Sequence, residues 1–179
     1  MKRIVIVFGL IAGVVVSALM LFSITNCYKN ANFEGSMIIG YASMLLAFSF
    51  IFVAVKSYRD KHNNGVISFG KAFQIGLYIS LIASTMYVAV WLIDYYLFVP
   101  DFMDKYTAHA LAEAKKAGAT ATEMAVKVKE MNDYREMYKS PVLVILFTYM
   151  EILPVGLIVS VICALIFKRT KAEPRLMAE

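Results

Sequence analysis

The chain has 179 residues, 60% of them hydrophobic, with 18 Lys or Arg against 13 Asp or Glu and a formal net charge of +5. Four windows, 4–25, 36–55, 72–93 and 142–167, hold about half of the chain and a single charge, Glu151. Each meets the roughly 20 apolar residues needed to cross hydrocarbon, which excludes a soluble globular domain, a disordered chain and a disulfide scaffold.

The first window follows Lys2-Arg3. A signal peptide also begins this way, and Val16-Ser17-Ala18 loosely resembles a cleavage site. At 22 residues the window is longer than a usual signal core, so it is expected to be retained as a span. Gly9, Gly13 and Ser17 give it a small-xxx-small stripe. Cys27 lies near one edge of the bilayer and Cys163 near the other, too far apart to bridge. Ser36, Gly40, Ser43 and Ala47 form the stripe of the second window. The polar stretch 56–71 predicts a tight turn in which Asn64-Gly65 supplies positive φ and Ser68 caps the third span. Spans two and three are then antiparallel neighbours.

The third window aligns Gly76, Ser80, Ser84, Tyr87, Trp91 and Asp94 within roughly 80° of arc at 100° per residue. Segment 100–141 is the one sizeable piece outside lipid, and its signals predict a helical hairpin. Pro100 breaks the third span, and Asp101 with Asp104 makes an acidic first turn suited to a helix N-terminus. Gly118 is placed as a left-handed stop, and Thr120-Ala121-Thr122-Glu123 restarts with a capping box. Met124, Val128, Met131, Tyr134 and Tyr138 recur at helical spacing and predict the buried face of the second arm. Ser140-Pro141 opens the fourth span, which carries Gly156, Ser160 and Ala164 and an internal Pro154. All these stripes are expected to be helix-packing surfaces, and no internal repeat of the transporter kind is present.

Charge predicts the orientation. Lys2, Arg3, Lys56, Arg59, Lys61, Lys71, Lys168, Arg169, Lys171 and Arg175 face only Asp60, Glu173 and Glu179, a net +7 on one side. The other side, with Lys29, Glu34 and segment 100–141, balances to zero. Basic short flanks stay in the cytoplasm, so both termini are expected inside. The excess also suits anionic lipid head groups, whereas no basic stripe with interleaved aromatics points to nucleic acid.

Two acids interrupt or bound the apolar windows. A 1.5 Å rise puts Asp94 about 33 Å and Glu151 about 24 Å from the cytoplasmic edge, both in the outer leaflet. Charged groups there are costly and are functional candidates by default. Asp94, Glu151, Tyr87 and Trp91 form the candidate intramembrane polar site. Its bland reading is an interfacial Asp94 among belt aromatics and a Glu151 hydrogen-bonded to a hydroxyl or carbonyl. Its sharper reading is an outward-opening cavity for protons, cations or a cationic solute. His62 and His109 lie on opposite sides, so no catalytic pair, metal site or cofactor is expected.

The stretches Ile39-Gly40-Tyr41-Ala42-Ser43-Met44, Lys56-Ser57-Tyr58-Arg59-Asp60 and Ile67-Ser68-Phe69-Gly70-Lys71-Ala72-Phe73 resemble a bacterial family catalogued as domain of unknown function 4199. The resemblance covers nearly the whole chain and implies a small four-span protein of the bacterial inner membrane. It implies no activity and no functional residues.

The expectation is therefore an all-α integral membrane protein forming one domain over 1–179. It has four transmembrane helices, both termini inside, and an extracytoplasmic hairpin between spans three and four. The expected role is non-enzymatic, as an interaction or accessory subunit of the cell envelope. The alternative is a small transport component using Glu151 and Asp94. Beside the lipid bilayer, the candidate partners are a protein docked on 100–141 and a second copy of the chain.

Overall fold

Helices α1 (Lys2–Asn30), α2 (Phe33–Phe48), α3 (Phe50–His62), α4 (Phe69–Leu97), α5 (Phe102–Lys116), α6 (Ala121–Tyr138) and α7 (Pro141–Phe167) follow one another along the chain. The computed structural model describes residues 1–30 and 33–168, without the side chains of 30 and 34–37. Among the described residues every element is a helix. Four stretches are long and apolar enough to cross a membrane: Lys2–Lys29, Ile38–His62, Phe69–Leu97 and Pro141–Phe167. A helix satisfies its backbone polar groups internally, as hydrocarbon demands. Their outer faces expose Leu10, Val14, Leu46, Ile93, Ile158 and Ile162. In water that area would be an aggregation patch, and in lipid it is the required surface. The chain is a membrane protein.

The helices outrun their apolar windows. The polar turn expected over 56–71 shrinks to 63–68, because α3 continues to His62. Arg59, Lys61 and His62 end the apolar run but suit the negative end of a helix dipole, so charge marks the bilayer edge rather than the helix end. Asn64 and Gly65 then take φ of 50° and 78°, as the Asn-Gly pair predicted. The Gly65 N–H donates to the Arg59 carbonyl at 2.9 Å, and the Ser68 hydroxyl caps α4 by accepting from the Lys71 N–H at 3.3 Å. Within the second span Ser49 separates α2 from α3 while keeping helical φ and ψ. Its hydroxyl donates to the Leu46 carbonyl at 2.6 Å, a local competition with the backbone ladder.

The centre of the bundle is α4, packed on α1, α3 and α7. Its buried positions, among them Ala72, Gly76, Ser80, Ala83, Tyr87, Trp91 and Asp94, keep three-four spacing. The closest crossing pairs α4 with α7. A Cβ built on Gly76 would lie 2.7 Å from Ser160 Cβ, and one on Gly156 would lie 2.8 Å from Ser80 Cβ. Each glycine thus receives the serine of the other helix. Both serines are fully buried. Ser160 donates to the Gly156 carbonyl at 2.7 Å, which leaves Ser80 to donate to Ser160 across the interface at 3.3 Å.

Gly9 and Gly13 serve α1 in the same way, facing Ile82 and Met86 of α4. Ser17 and Ser84 are buried, though their hydroxyls have no hydrogen-bond partner among the described residues. The stripe of α2 departs from expectation. Gly40 has no atom within 4 Å of a built Cβ, and the buried Ser43 donates locally to the Gly40 carbonyl at 2.7 Å. The Ser36 side chain lies outside the described residues, as do Arg169, Lys171, Glu173, Arg175 and Glu179. Cys27 and Cys163 are free and buried.

The 100–141 segment is a helical hairpin. Gly118 takes φ of +81°, with Gly118 N–H donating to Lys115 O and Ala119 N–H to Ala114 O, both at 3.1 Å. Those two bonds make the left-handed helix stop. Thr120 and Glu123 form the reciprocal capping box that starts α6. Arg135 bonds Asp104 and ties the two arms together. At the base, Tyr28 of α1 donates to Asp101 at 3.1 Å while Lys105 sits 4.1 Å above the Tyr28 ring.

Candidate functional site

Aromatic side chains dock the hairpin onto the bundle. Trp91 meets Phe102 edge to face at 5.1 Å, and Tyr95 meets Tyr138 at 5.6 Å. Docking leaves space beneath: a cavity of about 440 Å³ between the hairpin and the facing ends of α1, α2, α4 and α7. That volume falls within the usual range of small-molecule sites. Met20, Ser23, Gly40, Tyr41, Ser43, Tyr87 and Trp91 form the bundle wall, with Phe147, Thr148 and Glu151 from α7. The hairpin contributes Phe102, Met103 and Tyr106 from α5, and Lys127, Glu130, Met131, Tyr134 and Tyr138 from α6. Nine of the twenty lining residues are aromatic, five of them tyrosines.

Three of the four residues expected at the polar site, Tyr87, Trp91 and Glu151, therefore meet on one wall. Asp94 does not join them. It lies one turn beyond Trp91, buried, with its carbonyl accepting from the Phe98 and Val99 N–H groups and with Oδ2 unpartnered among the described residues. The shared stripe on α4 put Asp94 on the correct face, but Phe102 packs on Trp91 where α5 folds over the end of the bundle.

Glu151 is accessible where it lines the cavity. Among the described residues its carboxylate has no hydrogen bond and no ion pair. The expected bond to a hydroxyl or carbonyl is not made; nearby Thr148 donates instead to the Val144 carbonyl at 2.7 Å. The charge of Glu151 is felt by its neighbours. Tyr138, outside the spans, has its phenol pushed up to about 12, first by burial and then by the Glu151 carboxylate. The other two charged groups on the wall neutralise each other, with Lys127 Nζ 3.0 Å from Glu130. At the base of the hairpin, Asp101 is held below the usual carboxylate range by its bond from Lys105.

Of the wall residues contributed by the hairpin, Met131, Tyr134 and Tyr138 lay on the face that helical spacing predicted, whereas Phe102, Met103, Tyr106, Lys127 and Glu130 were not foreseen. The inward face of α6 is Lys127, Met131, Tyr134 and Tyr138, whereas Val128 is 40% exposed. Spacing alone allows either neighbour, and the apolar choice was the wrong one because Lys127 brings its own counter-ion one turn away. Gly40, which packs against no helix, also belongs to the wall. No group of three or more His, Cys, Asp or Glu among the described residues could hold a metal ion.

No curated protein and no solved structure matches the chain. A family model does, over residues 7–169, from the first span through the last and including the hairpin. The chain belongs to the family described as Protein of unknown function (DUF4199).

Proposed function

We propose that the chain is a non-enzymatic solute-binding membrane protein, a small transport or sensing component whose site is the cavity under the hairpin. Glu151 carries this reading. It is a carboxylate without a hydrogen-bond or ion-pair partner among the described residues, on the wall of a space large enough for a solute. A carboxylate inside a span is a functional candidate by default. Tyr87 and Trp91 belong to the same site, whereas Asp94 does not line it. The imbalance of +7 against zero supports termini in the cytoplasm and a hairpin outside. The bacterial inner membrane suits that orientation. Catalysis lacks support, since His62 ends α3 and His109 lies in α5 at the opposite end of the bundle.

A second reading, an accessory subunit of the cell envelope, is favoured by Val126 and Val128. They are 65% and 40% exposed on the two flanks of α6 beside Lys127, where an adjoining protein or a second copy would cover them. One purification in mild detergent separates the two, with both small molecules and proteins identified in the preparation. The solute reading expects a small molecule that is held by the wild type and lost when Thr148→Trp fills the cavity. A preparation with no such molecule, but with a protein partner lost on Val126→Asp, would overturn it.

A further inference from the structure

We infer that the cavity is built for an organic cation, an ammonium group on an apolar body. The inference rests on the reading of the cavity as a solute site and names the ligand class. Of the three charged side chains on its wall, Lys127 and Glu130 form an ion pair at 3.0 Å, and Glu151 supplies the remaining charge. The cavity therefore carries a net negative charge in a wall that, apart from Ser23, Ser43 and Thr148, is otherwise aromatic and apolar. Ring faces are electron-rich and attract cations, most strongly when water is excluded. Tyr41, Tyr87, Trp91, Tyr106, Tyr134 and Tyr138 surround the space that Glu151 lines.

The same wall is poorly suited to the other ligand classes. An anion would meet Glu151 with no free basic group to balance it. A divalent metal would need about six oxygen ligands, and the described residues offer no cluster of three ligating side chains. A neutral apolar solute would leave the carboxylate desolvated and unpaired. An ammonium with an apolar body satisfies both features at once, its charge on Glu151 and its body on the rings.

The test uses two probes of the same shape: benzyltrimethylammonium and its uncharged carbon isostere, neopentylbenzene. Trp91 is the chain's only tryptophan and stands on the cavity wall, so its emission reports occupancy of the full-length protein in detergent or nanodiscs. The expected result is saturable binding of the cation, tighter than the isostere by about tenfold or more. Glu151→Gln should remove most of that preference and leave the isostere unchanged. Equal binding of the two probes to the wild type would overturn the inference while leaving a solute cavity intact. No response of Trp91 or of thermal stability to either probe would overturn both. The wild-type comparison decides even if Glu151→Gln does not fold, and Tyr134→Leu at the cavity edge gives a second variant expected to weaken the cation. Nanodiscs of phosphatidylglycerol with and without phosphatidylcholine identify the source. Competition from phosphatidylcholine supports a lipid headgroup as the ammonium, and its absence supports a free solute.

Discussion

Gly156→Ala places a methyl where no space exists. The added carbon would lie 2.6 Å from Ser80 Oγ, 2.8 Å from Ser80 Cβ and 2.9 Å from Phe48 Cζ. A hydroxyl can rotate away, but Ser80 Cβ is fixed to the α4 backbone, so α4 and α7 must separate. Separation stretches the 3.3 Å bond between Ser80 and Ser160 in a fully buried interface. Overpacking of this kind costs about 1–3 kcal/mol. At about 2 kcal/mol a domain of this size loses roughly 4–8 °C of melting temperature. A thiol-reactive dye reads the transition without added labels, because Cys27 and Cys163 are both free and buried until the bundle opens. Ser80→Gly in the same chain removes the two closest contacts and should restore most of the loss. Gly40→Ala is the control: nothing lies within 4 Å of its added carbon, so it should be neutral. Equal losses for Gly156→Ala and Gly40→Ala would refute the argument that these contacts hold the bundle.

Gly118→Ala should destabilise the hairpin by about 1–2 kcal/mol through its left-handed φ alone, since the space around it is open; amide exchange at 118 and 119 no faster than wild type would count against it. Glu123 is held below its ordinary pKa by the Thr120 N–H and hydroxyl. A depressed carboxyl stabilises above its unfolded value and stops doing so as pH falls through the folded one, so α6 should lose helicity below about pH 4.5. Circular dichroism should show a smaller loss in Glu123→Gln, and an identical loss would remove the capping box from the account. A cysteine at position 118, in a chain with Cys27 and Cys163 changed to Ser, should react with an impermeant maleimide from outside intact cells; labelling from the cytoplasmic side alone would invert the proposed orientation.

The spans and the hairpin were legible because their determinants are local. Apolar length, the positive φ of Asn64-Gly65 and Gly118, and the Thr120–Glu123 box all act within a few residues. The crossing of α4 and α7 was partly legible, since Gly76, Ser80, Gly156 and Ser160 stood in stripes, though which stripe met which did not follow from spacing. The cavity was not legible. Its wall comes from five helices and α2, and whether Glu151 or Asp94 lines it depends on where α5 folds across Trp91. Gly40 shows the same limit: a small residue on a packing stripe and a small residue on a cavity wall look identical in sequence.

The position of the cavity nevertheless has a cause that can be followed along two helices. On α4 the buried side chains are small at first, Ala72, Gly76, Ser80, Ala83 and Ser84, and then large, Tyr87, Trp91 and Tyr95. On α7, which runs antiparallel, Gly156, Ser160 and Ala164 lie late, whereas Phe147, Thr148 and Glu151 come earlier. Antiparallel packing brings the two small ends together and the two large ends together. The glycine–serine pairs interlock on the side towards the 63–68 turn and Phe167. Towards the hairpin, Tyr87 and Trp91 of α4 and Phe147 of α7 put rings on the cavity wall instead, and Thr85 of α4 bonds Tyr149 of α7 at 2.8 Å. The space those rings line is closed by α5 with α6. On this account the hairpin and the cavity are one feature. Replacing Tyr87 and Trp91 together with Ala should let α4 and α7 converge and shrink the site, whereas removing an exposed residue such as Val126 should leave it unchanged.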